Sequence, residues 1–182
     1  MSFWSLRCAV QAVRAGEVIA YPTEAVFGLG CDPFNEEAVL HLLAIKQRPW
    51  QKGVILIASC ITQLQPFIAP LTTEQQDKLS ATWPGHMTWL VPAHPDTPSY
   101  LTGIHATIAV RVTAHPTARR LCQQLDHPLV STSANRTGGL PARTHHQVRR
   151  QLPMIEHIVT ASCGKAEQPS HIRDLTTGKV IR

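Results

Sequence analysis

Three groups of polar residues stand beside apolar stretches that are typical of buried strands. The segment PTEAVFGLG, residues 22–30, follows the apolar EVIAY, and STSAN, residues 131–135, follows Leu129 and Val130. Arg111 lies inside the apolar stretch TIAVRV. Ligands of open α/β sheets bind beyond the carboxyl ends of strands. The sequence therefore predicts a binding site where these strands end, with small hydroxyls, an amide and glycines that let a ligand approach the backbone.

The alternation around Arg111 separates this residue from the core. In a strand, Ile108 and Val110 share one face, and Arg111 falls on the other face together with Thr107. One interpretation is a guanidinium that binds an anionic ligand. The other is a solvated residue on a half-exposed strand, and the pattern is compatible with both.

A cluster of three cations follows the second predicted helix. Lys46 comes seven residues after Val39, so a helix places it on or beside the apolar face. Arg48 and Lys52 follow closely, and such a group of cations suits a triphosphate. The alternative for Lys46 is a lysine whose stem covers apolar surface while its charge favours the helix C-terminus.

Several common kinds of site are absent from the sequence. GLGCDP, residues 28–33, lacks the third glycine of a dinucleotide-binding motif, and no G-x-x-x-x-G-K-[ST] phosphate loop occurs. The ten histidines show no metal-ligand spacing, so we expect them at the surface. Ser131 and Ser133 have no obvious base partner in the sequence, so a serine nucleophile is unsupported. The five cysteines include no C-x-x-C, which argues against a zinc site or a disulfide framework and favours the cytoplasm.

The charge balance predicts an anionic partner. The formal net charge is +5, which suits a nucleotide or RNA. The basic segment THHQVRR, residues 144–150, either contacts RNA phosphates or is a solvated helix face. The longest apolar run, VILIA, is too short to span a membrane, and Arg7 and Arg14 interrupt any signal peptide.

Helices and strands alternate along the chain, which predicts an α/β fold with a mixed sheet. Helices are expected at residues 3–15, from an N-cap at Asn35 to about Arg48, after a capping box of Thr72 with Gln75, in PTARRLCQQL, and in THHQVRRQL. Strands are expected in EVIAY, VILIA, HMTWLV, TIAVRV and PLVST, with a terminal hairpin around Thr177–Gly178.

Seven segments, in order, resemble those of the YrdC/TsaC-type threonylcarbamoyl-AMP synthases: PTEAVFGLGCDP, KQRP, KGVILIA, WPGHMTWLVPA, IAVRVTAHP, LVSTSAN and PSHIRD. Nothing after Arg182 corresponds to the extra C-terminal domain of longer relatives, so we expect the short form. The resemblance implies a single domain over residues 1–182. Its expected fold is a twisted mixed parallel and antiparallel sheet with flanking helices and an electropositive concave face.

The resemblance also implies an activity. Members of the family combine L-threonine, bicarbonate or CO2, and ATP into threonylcarbamoyl-adenylate and diphosphate. Partner proteins then move the threonylcarbamoyl group to the adenosine beside the anticodon of certain tRNAs. Mg²⁺ is expected on the ATP phosphates, since the sequence shows no carboxylate cluster that would hold it.

The family's site residues carry over position by position. The threonine-binding set becomes Thr23, Arg111 and Ser131. The resemblance gives Lys46 and Arg48 as the catalytic cations. The nucleotide-binding set becomes Lys46, Arg48, Thr107, Ser133, Asn135 and Arg182, to which the charge cluster adds Lys52. Ile57 departs from longer relatives, which often carry His on this strand.

Two alternatives come from other classes of protein. An RNA-binding module would use the same basic face for double-stranded RNA, tRNA or rRNA maturation. A carbamoyl-adenylate enzyme of hydrogenase maturation would carry a similar domain inside a longer chain with a zinc finger, and this sequence has no zinc motif.

Overall fold

The structure is a computed structural model that describes residues 3–182. The helices are α1 (Phe3–Arg14), α2 (Glu36–Lys46), α3 (Thr73–Ser80), α4 (Ser99–Thr102), α5 (Pro116–Leu125) and α6 (His145–Gln151), with 3₁₀ helices at Trp50–Lys52 and Ile61–Phe67. The strands are β1 (Ile19–Pro22), β2 (Phe27–Gly30), β3 (Ile55–Ala58), β4 (Met87–Pro92), β5 (Thr107–Val112), β6 (Leu129–Ser133), β7 (His157–Ile158) and β8 (His171–Asp174). No helix in these residues is both long and apolar enough to cross a bilayer.

Local capping chemistry sets the helix ends where the sequence predicts them. The Asn35 side chain accepts a hydrogen bond from the backbone N–H of Ala38, which satisfies a donor at the start of α2. Thr72 and Gln75 form the predicted capping box of α3. α2 ends at Lys46, slightly earlier than predicted, because Gln47 adopts a left-handed conformation with φ of 52°.

The strands form one mixed sheet, which confirms the predicted fold class. Their order is β7-β1-β2-β6-β3-β5-β4-β8. Three pairs are parallel, namely β1 with β7, β3 with β5, and β4 with β8, and the remaining neighbours are antiparallel. Beyond β8 the chain turns back, and Arg173 bridges Val180 in the predicted terminal hairpin.

The prediction missed strand β2, since PTEAVFGLG was interpreted only as a polar segment after β1. Residues 27–30 pair with β1 in an antiparallel hairpin. Two of the four residues are glycines, which hide the strand pattern. They are needed for close approach: a Cβ on Gly30 would lie 2.6 Å from the Val130 carbonyl oxygen and 2.8 Å from the Tyr21 ring.

The two faces of the sheet are covered differently. One face packs against α2 and α3 and holds the larger apolar cluster, which includes Leu42, Leu56 and Val110. The other face is covered by α1 and α5 only over part of the sheet, where Ile57 and Leu129 are buried. Residues at alternate positions on this second face, such as Ser131 and Arg111, border a pocket beside the two helices. Ile57 therefore shares the face of the pocket but is enclosed by helices.

Gly53 and Gly103 position the segment that carries Lys52. Both have positive φ, of 60° and 68°. A Cβ on Gly103 would overlap the Gln51 carbonyl oxygen and would lie 2.7 Å from the Gly53 nitrogen. The backbone N–H of Val54 also donates to the Leu101 carbonyl at 2.9 Å, so α4 holds the start of β3 in place.

We expect Gly103→Ala to lower the free energy of unfolding by roughly 3 kcal/mol, because it combines backbone strain with overlap against the Gln51 carbonyl. Gly138→Ala is the matched control, since Gly138 also has positive φ, of 82°, but nothing lies within 4 Å of its added Cβ. That variant should lose only about 1 kcal/mol from the strained conformation. Denaturant unfolding of both variants checks this, and equal losses would contradict the packing role of Gly103.

Candidate active site

The pocket lies over the partly covered face of the sheet and has a volume of about 420 Å³. Strands β2, β3, β4, β5, β6 and β8 all contribute lining residues. The lining includes all but two of the predicted site residues: Thr23, Arg48, Lys52, Thr107, Arg111, Ser131, Ser133 and Arg182. The expected location beyond carboxyl strand ends holds for β1 and β6. The rest of the pocket lies across the face of β5. The rule that ligands bind beyond the carboxyl ends of strands describes open sheets of mostly parallel strands, and this sheet is mixed.

Arg111 is buried, with 6% of its surface exposed, so its interpretation as a solvated strand residue is wrong. Its Nη2 lies 3.4 Å from Oε2 of Glu24, a residue that the sequence prediction did not single out. Its Nε is buried and has no hydrogen-bond partner within the described residues. A buried guanidinium that lines a pocket is suited to bind an anion.

Glu24 is held as a carboxylate by several donors. Its Oε1 accepts hydrogen bonds from the Thr113 hydroxyl at 2.7 Å and from the Ala114 N–H at 3.2 Å. Burial raises the pKa of Glu24, but the charge of Arg111 and the Thr113 hydrogen bond outweigh it, so the net pKa lies below its ordinary value. The pair therefore keeps both charges at neutral pH.

Hydroxyl groups line the pocket beside this ion pair. The Tyr21 hydroxyl donates to Ser131 Oγ at 2.8 Å, which leaves the Ser131 proton available to a ligand. Burial raises the pKa of Tyr21 strongly, so the phenol remains a neutral donor. The Thr23 hydroxyl donates to the Val26 carbonyl at 2.7 Å, and its oxygen still faces the pocket as an acceptor.

A second group of cations lines the same pocket. Arg48 donates to the Gly53 carbonyl from Nε at 3.2 Å and from Nη2 at 3.0 Å. Burial, and then the charge of Arg182, lower the pKa of Arg48, and burial and Arg111 lower the pKa of Arg182. Lys52 lines the same pocket. Cations that repel one another in this way are relieved by a bound polyanion.

Lys46 and Asn135 are the predicted site residues that do not line the pocket. Lys46 is only 3% exposed, and its Nζ donates to the backbone carbonyls of Ser133 and of Asn135, the latter at 2.8 Å. Burial, with a smaller effect of Arg48, lowers the pKa of Lys46 to about 8. The Asn135 amide donates to the carbonyls of Arg136 and Gly139, and so closes the glycine-containing loop. Lys46 therefore acts on the pocket indirectly, because it holds the carbonyl of Ser133 at the end of β6 and that of Asn135 just after it.

The expectation of surface histidines is wrong for His115, which is 6% exposed. Its Nε2 lies 3.1 Å from the Ser162 carbonyl, and burial lowers its pKa. His86 and His105 line the pocket. Within residues 3–182, no three His, Cys, Asp or Glu side chains come together as a metal cluster.

Comparison with known proteins identifies relatives along the whole chain. Residues 11–182 match the profile of the Sua5/YciO/YrdC family, described as telomere recombination. The chain is 51% identical over 180 residues to a threonylcarbamoyl-AMP synthase from Yersinia enterocolitica, which covers 98% of this chain and 95% of the relative. A threonylcarbamoyl-AMP synthase from Nitrosococcus oceani is also 51% identical, covering 98% of this chain and 97% of the relative.

A solved structure has the same fold. The crystal structure of P. abyssi Sua5 complexed with L-threonine superposes with a TM-score of 0.92 at 29% identity, covering 100% of this chain and 54% of that one. The chain therefore spans about half the length of the P. abyssi protein.

The Glu24–Arg111 pair predicts a specific dependence of stability on pH. A carboxylate whose pKa is lower in the folded state stabilises the fold above its unfolded pKa, near 4.3, and loses that contribution as the pH falls through the folded value. At pH 7, we expect Glu24→Gln to cost roughly 3 kcal/mol because Arg111 loses its counter-charge.

The unfolding free energies of wild type and Glu24→Gln should therefore converge as the pH falls from the unfolded pKa of Glu24 through its lower folded value. Glu167→Gln, at an exposed position, serves as the control. Denaturant unfolding between acidic and neutral pH measures the difference, and a constant gap between the two proteins would contradict the ion pair.

Proposed function

Because the chain belongs to the Sua5/YciO/YrdC family, we propose that it is a threonylcarbamoyl-AMP synthase. The reaction joins L-threonine, bicarbonate or CO2, and ATP into threonylcarbamoyl-adenylate, with release of diphosphate. The product is the donor for modification of the adenosine beside the tRNA anticodon. Identity of 51% over nearly the full length of relatives with this activity in their names supports the proposal.

The observation that carries the proposal is the presence in one pocket of two kinds of group that suit anions. Arg111, fixed by Glu24 and bordered by the hydroxyls of Ser131 and Thr23, suits the carboxylate and hydroxyl of a small amino acid. Arg48, Lys52 and Arg182 suit the phosphates of a nucleotide. An enzyme that joins an amino acid to a nucleotide needs both sites in one cavity.

The chemistry requires positioning and charge neutralisation rather than a protein nucleophile. The amine of threonine and bicarbonate form a carbamate with loss of water, and a carbamate oxygen attacks the α-phosphorus of ATP as diphosphate leaves. We assign Arg111, Ser131 and Thr23 to threonine, and Thr107 and Ser133 to the nucleotide. Arg48, Lys52 and Arg182 neutralise the phosphates, and such fixed charges are worth several kcal/mol in a transition state.

We propose that Lys46 and Asn135 support binding of the nucleotide. Lys46 donates hydrogen bonds to the carbonyls of Ser133 and Asn135. It therefore fixes the end of β6 and the residues after it, which border the proposed nucleotide site. Direct contact with a phosphate would require the ammonium to leave those carbonyls. A pKa near 8 keeps most of the Lys46 charge at neutral pH.

The pocket residues do not themselves form a magnesium site. Within the described chain no group of three His, Cys, Asp or Glu converges, and Glu24 is already engaged by Arg111. We therefore propose that Mg²⁺ enters on the phosphate oxygens of ATP as part of the substrate.

The remaining partners follow from the product. Partner proteins of the tRNA threonylcarbamoyl transfer machinery would consume the adenylate, and the cytoplasm is the proposed compartment, consistent with the free thiols of Cys8, Cys31, Cys60, Cys122 and Cys163. Direct RNA binding remains the alternative function. It would use exposed cations such as Arg149 and Arg150 on α6, and it would weaken steeply with salt.

We expect diphosphate release from ATP only when L-threonine and bicarbonate are both present, with serine a poorer substrate. A coupled diphosphate assay with each component omitted in turn measures this. Turnover that does not need threonine, or formation of ADP and phosphate, would contradict the proposed reaction. No diphosphate release with all components present, together with RNA binding that weakens steeply with salt, would favour the alternative.

Two substitutions should separate the halves of the pocket. Arg111→Lys keeps the charge beside Glu24 but loses the planar fork, so threonine affinity should fall about 10-fold or more while ATP affinity stays within about twofold. Arg48→Ala should show the reverse pattern, because it removes a phosphate cation. Isothermal titration calorimetry with each substrate checks both variants, and a loss of both affinities in either one would contradict the division.

A further inference from the structure

A second side chain contacts the Arg111 guanidinium. His86 directly precedes β4 and lines the pocket. Its Nδ1 lies 3.5 Å from Arg111 Nη1, and its Nε2 lies 2.9 Å from the carbonyl oxygen of Gln168. The imidazole therefore stands between the guanidinium and the backbone near β8.

The two contacts select one tautomer of His86. A carbonyl oxygen only accepts hydrogen bonds, so Nε2 must carry a hydrogen toward Gln168. A guanidinium only donates, so Nδ1 must offer a lone pair to Arg111. Oε2 of Glu24 is 4.0 Å from Nδ1, too far for a hydrogen bond. The tautomer of His86 with its hydrogen on Nε2 satisfies both partners.

We propose that His86 is a positioning residue for threonine binding. It restrains the guanidinium at Nη1, while Glu24 restrains it at Nη2. Two restraints on different nitrogens fix the plane of this group, which lines the pocket, so its N–H groups point in set directions. A preorganised donor binds its anion more tightly because less freedom is lost on binding.

This inference rests on the proposed function, because the anion it concerns is the carboxylate of L-threonine. The guanidinium groups of Arg48 and Arg182 donate to backbone carbonyls, among them those of Gly53 and Ser170, and neither has a hydrogen bond to His86 within residues 3–182. Its effect should therefore fall on threonine and not on ATP.

The ring nitrogens allow the binding role to be separated from a structural one. An Asn side chain places its oxygen near the position of Nδ1, so His86→Asn keeps the acceptor for Arg111 and loses the donor to Gln168. A Gln side chain reaches the position of Nε2, so His86→Gln keeps the donor and loses the acceptor. His86→Ala loses both.

The experiment measures the KM for threonine, the KM for ATP, kcat and the thermal midpoint of these three variants in the diphosphate-release assay. We expect His86→Gln to raise the threonine KM about tenfold, in keeping with the loss of one hydrogen bond to a charged group, and to keep a midpoint near wild type. His86→Asn should show a lower midpoint with a threonine KM within about threefold of wild type. His86→Ala should show both defects, and the ATP KM should change little in all three.

A wild-type threonine KM in His86→Gln would overturn the positioning role, and so would an equal rise in His86→Asn and His86→Ala. A rise in the ATP KM that matches the rise for threonine would also overturn it, since general disorder of the pocket would then explain both. Absence of threonine-dependent diphosphate release in the wild-type protein would refute the proposed function and this inference together.

Discussion

The buried ion pair between Glu24 and Arg111 is the interaction on which the site depends. Removing two charges from water is costly, and this cost is offset only when the ions meet each other and further hydrogen bonds. Here Thr113 and Ala114 supply those bonds to Glu24, while Arg111 keeps one donor without a partner. The ion pair thus stabilises the buried charge of Arg111 in the free protein. The guanidinium still has a donor without a partner among residues 3–182.

The same pair joins three parts of the chain that are distant in sequence. Glu24 lies in the turn between β1 and β2, and Arg111 lies in β5. The backbone carbonyl of Glu24 accepts from the Ala166 N–H at 3.0 Å, which attaches the segment before β8 to the turn. Two other cations of the pocket, Arg48 and Arg182, have no carboxylate partner among the ion pairs of residues 3–182. The charge of Arg111 is therefore balanced by Glu24, while Arg48 and Arg182 lack a counter-charge that a bound polyphosphate would supply.

Patterns within one element were predictable from the sequence, and contacts between elements were not. The alternation in TIAVRV predicts β5 with its bounds and places Arg111 and Thr107 on one face, and the capping residue Asn35 predicts the start of α2. Strand β2 was missed because its glycines carry no side-chain pattern. Glu24 was not predicted because its partner Arg111 is remote in the chain. The burial of Lys46 was not predicted because its partners are backbone carbonyls, which every residue type has. The resemblance to the family predicted most of the pocket residues, because residues that meet in the fold of one member occupy the same motif positions in another.

A crystal structure of the protein with L-threonine is the most direct test of this arrangement. We expect the threonine carboxylate about 2.7–2.9 Å from a guanidinium nitrogen of Arg111, a normal distance for a charge-assisted hydrogen bond, with Glu24 still beside Nη2. The threonine amine should then point toward the cations that receive the phosphates. Threonine bound elsewhere in the pocket, without contact to Arg111, would contradict the central role of the ion pair.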